Sequence, residues 1–284
     1  MYVKEKIETA ASELTAGERK LAASILSDYP YAGLLSIQEL ARRSEVSSAS
    51  ISRFVIKIGF GGYPEFQRDI IKELKEGERS PVDIYQSNRK IDKGFLVDFM
   101  AKATSQLQLA TETITEEQFV QICDMLSDPK RDIYIIGGRV SDAIAENLSF
   151  HLRQSRSHVY HLPTDPEVWP EYILRMNAGD ILFVADFRRY QKGLYDLCQI
   201  ASHKRGVKII LMTDKWLSPI AKHASEILPV PIDIGTLWDT YSAALAITEA
   251  IVTYIAENNW EQTRNRITEW DGIRDQSGKE ADDQ

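Results

Sequence analysis

The sequence predicts an α + α/β chain, with an N-terminal all-helical helix-turn-helix domain and a C-terminal α/β/α domain carrying a five-stranded parallel sheet. Three observations predict it. Apolar residues recur at helical spacing through the first 76 residues. Within them, Ser36 to Phe60 holds two short helical patterns separated by a polar break. From Arg131 onwards, short apolar runs alternate with helical stretches, the grammar of strands buried on both faces beneath helices.

The totals fit two globular domains: 284 residues, 43% of them apolar. A net charge of −8 argues against a general basic coat. It leaves room for local attraction to an anion, since Ser36 to Phe60 carries Arg42, Arg43, Arg53 and Lys57 against Glu39 and Glu45. No apolar run is long enough to span a bilayer. The opening MYVKEKIETAASEL mixes both charges and lacks an apolar core, so no secretory signal is expected. Cys123 and Cys198 each sit in a helix-like apolar pattern and read as buried free thiols of a reducing compartment. The expected localisation is cytoplasmic, with no membrane partner.

Taken in order, Val3, Ile7 and Ala10-Ala11 suggest a first helix. Thr15 with Glu18 three residues later forms a capping box for a second, whose inner stripe is Leu21, Ala22, Ile25 and Leu26 and which Pro30 stops. Ile37, Leu40 and Ala41 mark the third helix; Ile51, Phe54, Val55 and Ile58 mark the fourth. The break between them, Ser44-Glu45-Val46-Ser47, places Ser47 as N-cap of the fourth. Two helices this short joined by so tight a turn have helix-turn-helix geometry. After the glycine-rich Gly59 to Gly62, Tyr63-Pro64 opens a fifth helix with Phe66, Ile70, Ile71 and Leu74 inward.

The outward positions of the fourth helix are small, hydroxylated or basic and include no carboxylate. Small residues near its N-terminus let the backbone approach base edges, and hydroxyls and helix-end N–H groups suit phosphates. The candidate DNA-binding residues are Ser47, Ser48, Ser50, Ser52, Arg53 and Lys57. A solvated helix in a small bundle stays open as the alternative, because a bare helix-turn-helix pattern has low specificity.

Boundaries are expected at 1–76 for the helical domain, 77–94 for a linker that begins with GERSPVD, 95–260 for the sheet domain and 261–284 for a polar tail, disordered beyond Trp270. In the sheet domain, Phe95 to Ile114 and Thr115 to Leu126 are helical, the latter opened by the capping box Thr115 to Gln118. Strands are expected at 132–136, 159–162, 180–185, 208–213 and 226–230. Helices should follow at Ser141 to Leu152, Lys192 to Lys204 and Leu237 to Asn258, with a helical turn after Ser218-Pro219. In a parallel sheet the ligand crevice lies beyond the carboxyl ends of the strands, here Gly137 to Ser141, Asp186 to Gln191 and Asp214 to Ser218.

This order of parts resembles a known family. LTAGERKLAASILSDYP and SIQELARRSEVSSASISRFVIKIGFGGYPEFQRDI are similar to the helix-turn-helix domain of RpiR/MurR-type transcriptional regulators. DIYIIGGRVSDAIAENLSFHL, DILFVADFRRYQKGLYDLCQIASHKRGVKIILMTD and SPIAKHASEILPV resemble the sugar isomerase (SIS) domain that follows it there. The resemblance spans nearly all the chain. It implies a homodimer or homotetramer built on the SIS domains, paired N-terminal domains on a two-fold double-stranded DNA operator, and a SIS domain sensing phosphorylated sugars.

The ligand loops depart from the family pattern. Gly137 and Ser141 fall on the first phosphate loop, with Arg139 where a second glycine is usual. After the third strand the family has serine, any residue, serine, glycine, an acid and threonine; this chain has Asp186, Phe187, Arg188, Arg189, Tyr190 and Gln191. The expected effector-binding residues are therefore Gly137, Arg139, Ser141, Asp186, Arg188 and Arg189. They would take a small anionic effector, a sugar phosphate or a carboxylate, since a guanidinium grips either through two hydrogen bonds. A structural ion pair between Asp186 and an arginine, closing the crevice, is the alternative.

No nucleotide-binding glycine motif, nucleophile elbow or metal-ligand spacing occurs, so no cofactor, no metal and no catalytic residues are expected. The runner-up function is a SIS-type sugar-phosphate isomerase or lyase. Glu146 and Glu249, the acids nearest to an acid–base role, fall within helical stripes. Trp216 and Trp238 follow strand ends and are candidate walls of the crevice.

Overall fold

The computed structural model describes residues 2–26, 29–78, 81–84 and 93–282. The chain divides into two compact units, 1–83 and 84–284.

The first unit is helical. Its helices are α1 (Val3–Thr9), α2 (Ala16–Leu26), α3 (Ile37–Ser44), α4 (Ser48–Lys57) and α5 (Tyr63–Glu78), with a short α6 (Pro81–Ile84) where the linker was expected. Parts of that linker, residues 79–80 and 85–92, lie outside the described residues. The capping box before α2 is present. Thr15 N donates to the Glu18 carboxylate at 2.8 Å, and Glu18 N donates to Thr15 Oγ1 at 3.4 Å. Leu21, Ile25, Leu40, Ile51, Phe54, Phe66 and Ile70 are fully buried and form one core, whereas Ile71, expected inward on α5, is exposed. Tyr63 belongs to that core: its ring stacks on Phe66 and its hydroxyl donates to the Leu35 carbonyl at 2.8 Å.

The second unit opens with α7 (Phe95–Thr113) and α8 (Glu116–Ser127). Then come β1 (Ile133–Gly137), α9 (Asp142–Ser155), β2 (Val159–His161), α10 (Trp169–Arg175) and β3 (Ile181–Ala185). α11 (Lys192–Arg205), β4 (Lys208–Thr213), β5 (Ala224–Pro229), α12 (Ser242–Asn258) and α13 (Trp260–Asp282) complete it. The strands pair in parallel in the order β2-β1-β3-β4-β5. β1, β3 and β4 are buried on both faces, apart from Lys208 at the start of β4. Alternate residues point to opposite faces of a strand. Tyr134, Ile136, Leu182, Val184, Ile209 and Leu211 pack with α10 and α11, while α9 covers β1, β2 and β3.

Three further local expectations differ from the structure. Thr115 Oγ1 caps α8 by accepting from Gln118 N at 3.2 Å, but Gln118 does not return the bond. Its side-chain amide donates instead to the Ile227 carbonyl at 2.8 Å, tying α8 to β5. α12 begins at Ser242 rather than Leu237, because Thr240 N donates to the Ile232 carbonyl and holds the preceding residues as a loop. The stretch expected as a disordered tail is helical through Asp282. It continues a helix whose first turns are anchored before Trp270, where Thr263 is buried and Arg266 Nε donates to the Arg153 carbonyl of α9 at 2.5 Å.

Arg156 was not singled out by sequence. Its buried guanidinium donates to the carbonyls of Leu126, Asp128 and Arg131, joining the end of α8 to the end of α9.

Phe183 is fully buried at the centre of the sheet. Phe183→Ala is expected to lower unfolding free energy by roughly 3–5 kcal/mol, read as a shifted denaturation midpoint of the whole chain.

Candidate DNA-binding face and strand-end ligand site

Serine caps set the turn between α3 and α4. Ser36 Oγ accepts from Glu39 N at 3.2 Å to start α3, and Ser47 Oγ accepts from Ser50 N at 3.1 Å to start α4. Between them Glu45 adopts a left-handed conformation, φ 52°, which reverses the chain within three residues. α2 packs against both helices.

The candidate residues of α4 fall into two groups. Ser47, Ser50 and Arg53 form a hydrogen-bonded series along one side: Ser47 Oγ and Ser50 Oγ are 2.9 Å apart, and Arg53 Nη2 donates to Ser50 Oγ at 3.3 Å. Ser52 Oγ donates back to the Ser48 carbonyl at 3.1 Å. Arg53 and Ala49 are exposed, and Ser48, Ser50 and Ser52 are half-buried. Lys57 stands apart. Its ammonium donates to the Glu13 carbonyl at 2.7 Å and pairs with Glu18 at 2.8 Å, a bond that holds the Glu18 carboxyl below its ordinary range. The sequence reading missed Ile56, which is 58% exposed although large and apolar. It lies outside the inner stripe and shares the outer face with Ala49 and Arg53. Being out of phase with Phe54, Val55 and Ile58 was the available signal.

In the second unit the strand order reverses between β1 and β3, the point at which open parallel sheets leave a crevice. Gly137 and Gly138 end β1 there. A Cβ on Gly137 would stand 2.5 Å from the Asp142 backbone, so the close turn into α9 requires glycine. Gly137 N donates to Asp142 Oδ1 at 2.8 Å, and that oxygen also meets His161 Nε2 at 3.0 Å. Ser141 is buried. Its hydroxyl accepts from Gly138 N at 2.9 Å and donates to the Ala185 carbonyl at 2.6 Å, joining the ends of β1 and β3. Arg139 is exposed in this loop.

The loop after β3 is built on buried carboxylates. Asp186 accepts from Ser218 Oγ at 2.5 Å, and its own carbonyl accepts from Thr213 Oγ1 at 2.7 Å. Asp214, at the end of β4, accepts from Arg188 N at 2.6 Å, Tyr190 Oη at 2.7 Å and Trp216 N at 3.0 Å. Burial pushes the Asp186 carboxyl up to about 7 and the Asp214 carboxyl up to about 6, against the hydrogen bonds that favour their ionised forms. The partner of Asp186 is therefore a serine rather than an arginine. Arg189 is exposed and takes φ 67°, at the position where the family pattern has glycine.

Arg188 turns inward. Its side chain is 5% exposed, its guanidinium lies 4.0 Å from the Trp216 ring centre, and Nη2 stands 3.5 Å from Asp233 and 3.6 Å from Asp239. No hydrogen bond or ion pair joins Arg139, Arg188 and Arg189 to a common acceptor among the described residues. Of the two candidate tryptophans, Trp216 is buried against Arg188, whereas Trp238 is 67% exposed. Glu146 and Glu249 are exposed on α9 and α12.

Fold and site thus define a two-part chain, a helix-turn-helix unit followed by a parallel α/β unit of the sugar-isomerase type. Residues 1–77 match the helix-turn-helix domain of the rpiR family, and residues 125–254 match the SIS domain. A Haemophilus influenzae protein described as an uncharacterized HTH-type transcriptional regulator is 23% identical over 229 residues, 80% of this chain and 78% of the relative. A Clostridium perfringens protein of the same description is 26% identical over 225 residues, 78% and 79% of the two chains. The sugar isomerase domain of an RpiR transcription factor from Sphaerobacter thermophilus shares the fold with a TM-score of 0.58, at 16% identity, covering 63% of this chain and 99% of that one. The Vibrio vulnificus NanR protein complexed with ManNAc-6P has a TM-score of 0.52 at 18% identity, covering 95% and 97%. The chain belongs to the RpiR family of HTH-type transcriptional regulators with a SIS domain.

The two buried carboxyls bear on stability against pH. A carboxyl raised from its ordinary 3.8 to about 7 contributes stability that is complete below pH 4 and lost as pH rises through 7. Asp186→Asn should therefore show a smaller fall in melting temperature between pH 5 and pH 8 than the unaltered chain. Parallel thermal melts at the two pH values check this.

Proposed function

We propose that the chain is a cytoplasmic regulator that binds operator DNA through α4 and responds to a small anionic metabolite held at the carboxyl ends of β1, β3 and β4. The observation that carries the DNA-binding reading is the open, carboxylate-free face of α4, where Ala49, Arg53 and Ile56 are exposed and Ser47 and Ser50 hold Arg53 along the helix. Such a face suits a major groove. The arginine has the fork for guanine or phosphate, the serine hydroxyls serve phosphates, and an exposed isoleucine suits a thymine methyl. Ser48 and Ser52 flank this face. Lys57 would have to leave Glu18 before reaching a phosphate.

For the effector, the support is the switch point itself, with Gly137, Ser141 and Asp186 assembled there and Arg188 beside them. The ligand class is a sugar derivative bearing a phosphate or a carboxylate. In the solved NanR complex the bound molecule is ManNAc-6P. A ligand at this site changes operator affinity only by as much as it prefers the chain's DNA-bound state over its free state. A homodimer or homotetramer fits the apolar side chains that α7 leaves exposed, Phe95, Leu96, Val97 and Met100. Among the described residues no helix is long and apolar enough to cross a membrane. An isomerase or lyase reading has less support, since the candidate acids Glu146 and Glu249 face solvent on helices rather than the strand ends.

The test is retardation of sheared DNA that includes the promoter beside the chain's own gene: one fragment should shift and competitor DNA should not displace it. Arg53→Ala is expected to weaken that complex by roughly 1–3 kcal/mol if Arg53 reads a base. Equal weakening on every sequence, with the salt slope reduced by about one, would place Arg53 on phosphate alone.

A further inference from the structure

At the carboxyl ends of β3 and β4, buried donors outnumber the acceptors that reach them. Arg188 Nε and Nη2 and Trp216 Nε1 are all buried, and none has a hydrogen-bond acceptor among the described residues. Native interiors rarely leave such groups unmade, so each requires an explanation. Asp186 and Asp214 do not supply it, because their hydrogen bonds go to Ser218 and to the backbone and hydroxyl donors of the two loops. Asp233 and Asp239 approach Nη2 at 3.5 and 3.6 Å, near enough to attract the charge but beyond hydrogen-bond length. Both belong to the stretch 230–241, which follows β5 without helix or strand.

We infer that the Nε–Nη2 edge of Arg188, stacked on Trp216, is a subsite for one carboxylate group of the effector, and that Asp233 and Asp239 compete with that group for the guanidinium. The inference rests on reading the strand ends as the effector site, and it narrows the ligand. The Nε and Nη2 hydrogens lie in one plane and match the two oxygens of a carboxylate side by side. Asp233 and Asp239 already stand near Nη2, and Asp214 accepts from Arg188 N. A monoanion therefore meets less repulsion there than a phosphate dianion. The indole face lies 4.0 Å under the guanidinium and supports its plane. Binding would exchange two poorly seated carboxylates for one well-seated one and release the segment that carries them.

The experiment titrates the full chain with gluconate, a six-carbon carboxylate, and with glucose 6-phosphate, by calorimetry. Asp233→Asn/Asp239→Asn removes the internal competitors and is expected to tighten gluconate binding at least about tenfold, because less of the protein is held in the self-occupied state. Arg188→Lys keeps the charge but lacks the fork, and should weaken gluconate binding by at least about tenfold. Thermal melts of each variant identify any that fails to fold. Should Arg188→Lys misfold, the Asp233→Asn/Asp239→Asn comparison decides alone. Unchanged or weaker gluconate binding in the doubly substituted chain overturns the inference, as does absence of gluconate binding to both proteins. If glucose 6-phosphate binds where gluconate does not, the carboxylate subsite is wrong while the effector site stands. If, in addition, a small-molecule extract leaves operator retardation unchanged, the effector reading itself falls.

Discussion

The second unit depends on how a buried parallel sheet ends. β1, β3 and β4 are covered on both faces, so the polar groups where they stop have little access to water and must be satisfied by neighbouring loops. Ser141 bridges Gly138 N and the Ala185 carbonyl, Thr213 bonds the Asp186 carbonyl, and Ser218 bonds the Asp186 carboxyl. Asp214 gathers three donors from two loops. These bonds fix the backbone of the loops after β3 and β4, including Arg188 N. Burial nonetheless outweighs them at both carboxyls and raises each above the ordinary carboxylate range.

The same economy of polar groups orders the helix-turn-helix. Ser36 and Ser47 satisfy the first N–H groups of α3 and α4, and the left-handed Glu45 between them makes the turn tight. Leu40, Ile51, Phe54 and Val55 are spent on the core, which leaves one side of α4 with no other task in the folded unit. Arg53 is steadied there by Ser50, whereas Lys57 is drawn to Glu18 and the Glu13 carbonyl. Two cations one helical turn apart thus have different freedom to meet an outside anion.

Arginine in place of a small hydroxyl alters the chemistry of the loop after β3. A serine offers one hydroxyl and little volume, whereas Arg188 brings a planar cation that needs acceptors and a surface to lie on. The structure supplies the surface in Trp216 and charge compensation in Asp233 and Asp239. Arg189 accepts a left-handed backbone that glycine would adopt freely.

Periodicity and capping chemistry determined most of the architecture from sequence alone. Leu21, Ile25, Ile51 and Phe54 mark inner stripes, Ser47 and Thr15 mark helix starts, and the run 208–213 reads as a strand to the residue. Such signals are local, carried by residues within a turn or two of each other. What only the tertiary structure decided involves partners far apart in the chain: Gln118 leaving its cap for Ile227, Lys57 turning to Glu18, Thr240 delaying α12, and Arg266 anchoring a polar helix on Arg153. Arg188 is the clearest case. Its identity and its place at a strand end were legible, but its inward direction depends on Trp216, Asp233 and Asp239, residues 28, 45 and 51 positions away that only folding brings to one point.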